Sequence, residues 1–270
     1  MQNSPHLIGS YNSEKNIYIL YDRKIASSLI TMFYHRPIKV QKNKLEDSNY
    51  NIILDKKSID SKKIQTHILI RNPISRIKSY ISERTFKQLH HFIYNDIEYK
   101  DGYDENIFKN NNVIDIFDKI KEWVYLKNNK YYLNIEKTNT EYLYKFIEYI
   151  MSSLMEFVEG KNTPTLNNKY HEKIYEFIKD NNTVIIDVTN LSTHFESLGI
   201  DISSEKFKTA ELHRNGLWSQ MIKELYPYIK NHEKYNIIKE FIENEVYFYR
   251  KILKEYKLSP PNNITTKNII

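Results

Sequence analysis

Three short apolar runs, separated by much longer helical patterns, set the strongest limit on what this chain can fold into. Asn16–Tyr21 (NIYILY), Thr66–Ile70 (THILI) and Val184–Val188 (VIIDV) are strand-sized and rich in Ile, Leu and Val. A run that is apolar at successive positions is buried on both faces, as in a parallel sheet covered by helices on either side. Ile38–Val40 and Asn51–Leu54 are weaker strand candidates. Between the runs, Ile25, Leu29, Met32 and Phe33 recur at helical spacing. Asn72-Pro73 stops the second run, and Pro73 opens a helix reaching about Phe92. Further helical patterns cover Val113–Lys127, Thr140–Val158, Lys169–Lys179, Leu217–Lys230 and Tyr235–Tyr256. The expectation is one α/β domain over residues 1–257, a parallel β-sheet flanked by helices. It carries a helical insertion at about 95–165, a helical C-terminal part and a loosely held tail, 258–270.

Composition removes several classes of chemistry. The five glycines stand alone at Gly9, Gly102, Gly160, Gly199 and Gly216, so neither GxGxxG nor GxxxxGK[ST] can be written. The absence of cysteine excludes disulfides, thiolate catalysis and Cys-ligated zinc, and no metal-ligand cluster stands out. Met1–Ser13 is polar and no apolar stretch approaches the ~20 residues of a membrane span, so a cytoplasmic protein is expected. A net charge of +6 points to an anionic ligand, phosphorylated or sulfated, or to nucleic acid. Lys56-Lys57 and Lys62-Lys63 are the densest basic runs, too sparse for a nucleic-acid surface. The 23 tyrosines read as packing residues, some of them platforms for adenine or sugar rings.

Chemistry concentrates at two strand-to-helix junctions, where parallel α/β sheets bind ligands outside the carboxyl ends of their strands. In the first, Tyr21-Asp22-Arg23-Lys24-Ile25-Ala26-Ser27-Ser28-Leu29, small residues let the backbone approach an anion at a helix start. Lys24 adds a point charge. Serine at such a place is also an ordinary helix cap. The second junction is Arg71-Asn72-Pro73-Ile74-Ser75-Arg76-Ile77-Lys78-Ser79-Tyr80. Arg71 ends a buried strand and needs an anionic or carbonyl partner, while Arg76 and Ser79 share one helical face. A guanidinium fork with a hydroxyl at a helix start suits a phosphate monoester; a capped helix with surface arginines is the plain alternative.

Together the two segments resemble the PAPS-dependent sulfotransferases, especially the carbohydrate type. That family carries a 5′-phosphosulfate loop, Lys-x-[Ala/Gly]-x-[Thr/Ser], matched here by Lys24, Ala26 and Ser28. Its 3′-phosphate motif, Arg-[Asp/Asn]-Pro-x-x-Arg-x-x-Ser-x-Tyr, is matched by Arg71, Pro73, Arg76 and Ser79, with Tyr80 one place before the motif's tyrosine. More loosely, Val184–Asp187 with Asn190-Leu191 and Phe195, then His213-Arg214-Asn215 and Ile242–Ile252, look like later family segments. Asp187 stands where a Glu is common, and Asp22-Arg23 departs from the usual Pro or Arg before the loop lysine.

The resemblance implies a three-layer sandwich like that of the P-loop nucleotide transferases, and sulfuryl transfer from PAPS to a hydroxyl acceptor, a glycan first of all. Adenosine 3′,5′-bisphosphate would be the product. Lys24 would stabilise the leaving group with the backbone of Ile25, Ala26, Ser27, Ser28 and Leu29. Arg71 and Ser79 would grip the 3′-phosphate, and Arg214 would join the nucleotide site. No metal is implied. A general base is required, and the family's stretch after the second strand corresponds to the loop Gln41–Asn49, with Glu46 as candidate and His35 as runner-up. Two other readings are a P-loop-type kinase, for which the glycines are missing, and a basic α/β module binding nucleic acid or a phosphorylated partner.

Overall fold

The computed structural model describes residues 7–12, 17–21, 39–41, 44–46, 52–54, 65–94, 111–159, 169–178, 183–199 and 218–258. In chain order the strands are β1 (Leu7–Asn12), β2 (Ile17–Leu20), β3 (Lys39–Gln41), β4 (Lys44–Glu46), β5 (Ile52–Leu54), β6 (Gln65–Ile70), β7 (Val124–Lys127), β8 (Lys130–Leu133) and β9 (Thr183–Asp187). The helices are α1 (Pro73–Ile81), α2 (Lys87–Tyr94), α3 (Asn111–Ile120), α4 (Thr140–Glu159), α5 (Tyr170–Ile178), α6 (Leu191–Ser197), α7 (Ser219–Lys230) and α8 (Tyr235–Glu255).

The main sheet runs β5-β1-β2-β6-β9. Its three apolar runs, β2, β6 and β9, are parallel, with Ile19 opposite His67 and Ile70 opposite Asp187. Five successive residues of β6, Thr66 to Ile70, are buried, as a strand covered on both faces requires. Helices pack against these strands with residues one turn apart: Tyr170, Ile174 and Ile178 of α5, Leu191 and Phe195 of α6, Tyr249, Ile252 and Leu253 of α8. The chain is therefore α/β, with a three-stranded parallel sheet flanked by helices. The outer strands depart from expectation, because β1 is antiparallel to both β2 and β5. Leu7–Asn12 holds only two aliphatic residues, too few to mark a strand within a polar N-terminal stretch.

Contacts divide the chain into two compact units, residues 1–76, 163–213 and 243–265, and residues 77–162, 214–242 and 266–270. The sheet belongs to the first. The second thus takes in the expected insertion and, in addition, Ile77 onward and the segment 214–242. Its centre is aromatic. Phe146 meets both Phe86 and Phe117 edge to face, and Trp218 stacks on Tyr131 and on Phe86, with centroids 4.0 and 5.2 Å away. Asn139 caps α4, its Oδ1 accepting from the Glu141 N–H at 2.9 Å.

Two local departures have clear causes. The helix expected at Val113–Lys127 ends at Ile120, and the chain turns into a hairpin, β7–β8. Asn128 and Asn129 take φ of 51° and 54°, the two left-handed residues of a two-residue I′ turn. The inserted region is therefore not wholly helical. The helix expected from Pro73 to Phe92 contains a π segment, Ser82–Phe86, whose wider turn rotates the buried stripe so that Thr85 and Phe86 point inward. α6 stops where expected of a glycine: Gly199 takes φ 69° and its N–H donates to the Glu196 carbonyl.

Candidate functional site

The first unit places Tyr21, Arg71 and Asp187 at the carboxyl ends of β2, β6 and β9. Arg71 follows Ile70 directly, and Ile70 pairs with Asp187. Asn72 then caps α1, its side-chain oxygen accepting from the Ile74 N–H at 2.9 Å and its carbonyl from the Arg76 N–H at 2.9 Å. Pro73 occupies the first helical position, where no N–H is needed. Arg-Asn-Pro thus ends the strand and starts the helix, with Arg71 half-buried at the junction. Burial, and the neighbouring charge of Arg76, push Arg71 down to about 10, while Asp187 pulls the other way. A cation held where its charge is disfavoured gains from an approaching anion.

Arg76 has a different fate from the one its spacing suggests. It is 2% exposed, its Nη1 lies 3.8 Å from Glu245 Oε2, and its guanidinium sits over the Tyr170 ring at 5.3 Å. Glu245 Oε2 also accepts from the His171 N–H at 3.3 Å and meets His171 Nδ1 at 2.8 Å. Tyr170 in turn donates to the Leu69 carbonyl at 2.7 Å, tying α5 to β6. Arg76 is therefore a buried structural cation, not the outward half of a phosphate fork. A second network surrounds Asp187, which is 3% exposed. Its Oδ1 accepts from the Thr189 N–H and hydroxyl, at 2.9 and 2.6 Å, and its Oδ2 from the Tyr249 hydroxyl at 2.5 Å. Burial, with Asp187 beside it, holds the Tyr249 phenol well above the ordinary tyrosine range. Both Asp187 oxygens are engaged, which keeps this carboxylate in place near Arg71.

The remaining expected residues fall as follows. Lys24, Ile25, Ala26, Ser27, Ser28, Leu29, His35 and Arg214 lie outside the described residues, as does the tail beyond Leu258. Glu46 closes strand β4 and pairs with Lys39, so its backbone is in a short hairpin where a loop was expected. Ser79 is half-buried one turn after Arg76, on the part of α1 counted with the second unit. Tyr80 is core, its ring 4.7 Å from Phe157.

No family model matches the chain, and neither a curated protein nor a solved structure does. What the site can do rests on its own geometry. His171, Glu245 and Tyr249 carry much of that geometry, and only Glu245 and Tyr249 left a trace in the sequence, four residues apart on one helical face. His67 of β6 forms a further pairing, its Nδ1 3.1 Å from His194 Nε2 on α6. Burial and then the neighbouring His194 push His67 down to about 4, and burial lowers His194 as well. Among the described residues no group of three or more His, Asp or Glu side chains is placed to hold a metal ion, and no helix is long and apolar enough to cross a membrane.

Proposed function

We propose that the protein is a PAPS-dependent sulfotransferase acting on a glycan hydroxyl, and that its first unit is a three-layer sandwich of the nucleotide-transferase type. The carrying observation is Arg71. A half-buried guanidinium stands at the carboxyl end of a central parallel strand, at the mouth of a capped helix, with its charge disfavoured by burial and by Arg76. That setting favours a phosphate monoester, which PAPS carries at the 3′ position, where ATP has a hydroxyl. Ser79, one turn after Arg76 on α1, is the hydroxyl of the same sequence motif.

In this reading the acceptor oxygen attacks sulfur in line. The new O–S bond forms as the bond between sulfur and the bridging phosphate oxygen breaks, and the acceptor proton passes to Glu46 or, failing that, to His35. Lys24, with the N–H groups of Ala26 to Leu29, stabilises the charge that develops on the bridging oxygen, and Arg214 joins the nucleotide contacts. Lys24→Ala should cut turnover far more than it weakens binding of adenosine 3′,5′-bisphosphate, because its contact is strongest in the transition state. Thermal-shift titration tests the ligand class: the bisphosphate should raise the melting temperature, and equimolar ATP or a short DNA should raise it much less. An equal response to all three would favour a generic anion site and overturn the reading.

A further inference from the structure

From the β7–β8 hairpin of the second unit we infer an accessory site for an acidic glycan, with two tyrosines receiving sugar rings and two lysines receiving carboxylate or sulfate groups. The inference rests on the proposed reading that the acceptor is a glycan. Strand alternation divides the hairpin into two faces. Tyr131 and Leu133 are buried, with Tyr131 stacked on Trp218 at 4.0 Å and its hydroxyl 2.7 Å from His90 Nδ1. The Leu133 N–H donates to Glu224 Oε2 at 2.8 Å. These contacts hold the hairpin firmly. Its other face carries Tyr125 opposite Tyr132 and Lys127 opposite Lys130. The tyrosine rings stack at 5.3 Å with an interplanar angle of 15°, and Tyr125 is 46% exposed.

The two lysines are what call for a partner. Like charges directly opposite one another destabilise a ladder. Elsewhere on this unit some lysines are matched by carboxylates one turn away, as in Lys119–Glu122, Lys121–Asp118 and Lys145–Glu141, whereas Lys137, Lys223 and Lys230 stand singly, not opposite another lysine across a ladder. Among the described residues Lys127 and Lys130 have no such match, and no acidic residue occurs from Trp123 to Asn134. Glu122, the nearest carboxylate before the hairpin, is engaged by Lys119 at 3.3 Å. The ligand is therefore anionic, with an apolar face for the tyrosines. Two lysines are few for a nucleic acid, which carries a charge on every unit and is tracked by many basic contacts. An acidic polysaccharide, with its charges spaced among uncharged sugars, suits two lysines about 7 Å along the strand from an aromatic pair.

The test uses the full chain without nucleotide, titrated with hyaluronan, with uncharged dextran and with a dT oligonucleotide. Hyaluronan should bind and dextran should not. Tyr125→Ser, and separately Lys127→Ala with Lys130→Ala, should each weaken hyaluronan binding about tenfold or more, with circular dichroism unchanged. The lysine variant should also lose most of the salt dependence. Unchanged hyaluronan affinity in the lysine variant, equal binding of dextran, or tighter binding of the oligonucleotide would overturn the inference. The bisphosphate thermal shift, measured in the same variants, should persist. Its absence from the wild type would count against the nucleotide site and leave the hairpin result standing on its own.

Discussion

The two units solve the problem of an interior in opposite ways. Every acidic, basic or histidine side chain buried among the described residues lies in the first unit: His67, Arg76, His171, Asp187 and Glu245. The second unit buries Thr85, Gln88, Thr138 and Ser153 and fills its centre with rings and aliphatic side chains. An aromatic core gains stability from area and shape, and no titration enters. Buried ions gain little net stability, since desolvation offsets most of their attraction. They persist in the unit whose sheet ends in Arg71, the residue on which the proposed phosphate site rests.

The largest expected effect breaks the first unit's ion pair. Glu245→Ala leaves Arg76 buried without its carboxylate and should cost about 3–5 kcal/mol in urea unfolding. Arg76→Met combined with Glu245→Leu removes both charges and should recover part of that loss, the rest remaining because His171 also loses its acceptor. In the second unit Phe146→Ala should also cost about 3–5 kcal/mol, through a cavity that no charge removal repairs. If the double variant is as unstable as Glu245→Ala, the buried charge of Arg76 is not what makes the single variant unstable and the contrast between the two interiors fails.

A smaller effect sharpens the contrast through pH. His67 is held near 4 in the folded chain, against an unfolded value of 6.5, so the unfolded state binds the extra proton more readily. Stability from this group is therefore full above about pH 6.5 and falls away as pH drops toward 4, by about 3 kcal/mol at most. Protonating both rings would also set two donors against each other across the 3.1 Å gap to His194. His67→Gln should flatten the melting curve between pH 6.5 and pH 4.5 relative to the wild type. An identical pH dependence in both proteins would show that acid sensitivity resides elsewhere.

Much of the first unit was legible because parallel strands leave a strong trace. THILI and VIIDV are continuous apolar runs, and β6 and β9 fall on them to within a residue. The cap at Asn72-Pro73 was equally readable, since proline at a first helical position has one obvious place. β1 was not, because six residues with two aliphatics look like a polar lead and gain strand character only from their neighbours on both sides. The hairpin at Val124–Leu133 was masked by Val113, Ile116, Phe117 and Ile120, whose helical spacing runs on into Val124. The Asn128-Asn129 pair was the available signal. Arg76 shows the limit most clearly. Its spacing from Arg71 and Ser79 fits a phosphate fork, and nothing in that spacing says that Glu245, 169 positions later, neutralises it inside the core. The sequence could place Arg71 at a strand end, but only the packing of α5 and α8 distinguishes the two arginines.

That distinction leads to the most direct measurement, calorimetric titration of adenosine 3′,5′-bisphosphate into the wild type and into Arg71→Ala. Arg71 lies at the sheet's carboxyl end and is half-buried, so the variant should keep its fold and its melting temperature within a few degrees. Loss of a charged contact to the 3′-phosphate should weaken binding by about ten- to a hundredfold. Equal affinity in the two proteins, with the fold intact, would contradict the assignment of Arg71 to a phosphate and with it the sulfotransferase reading of the site.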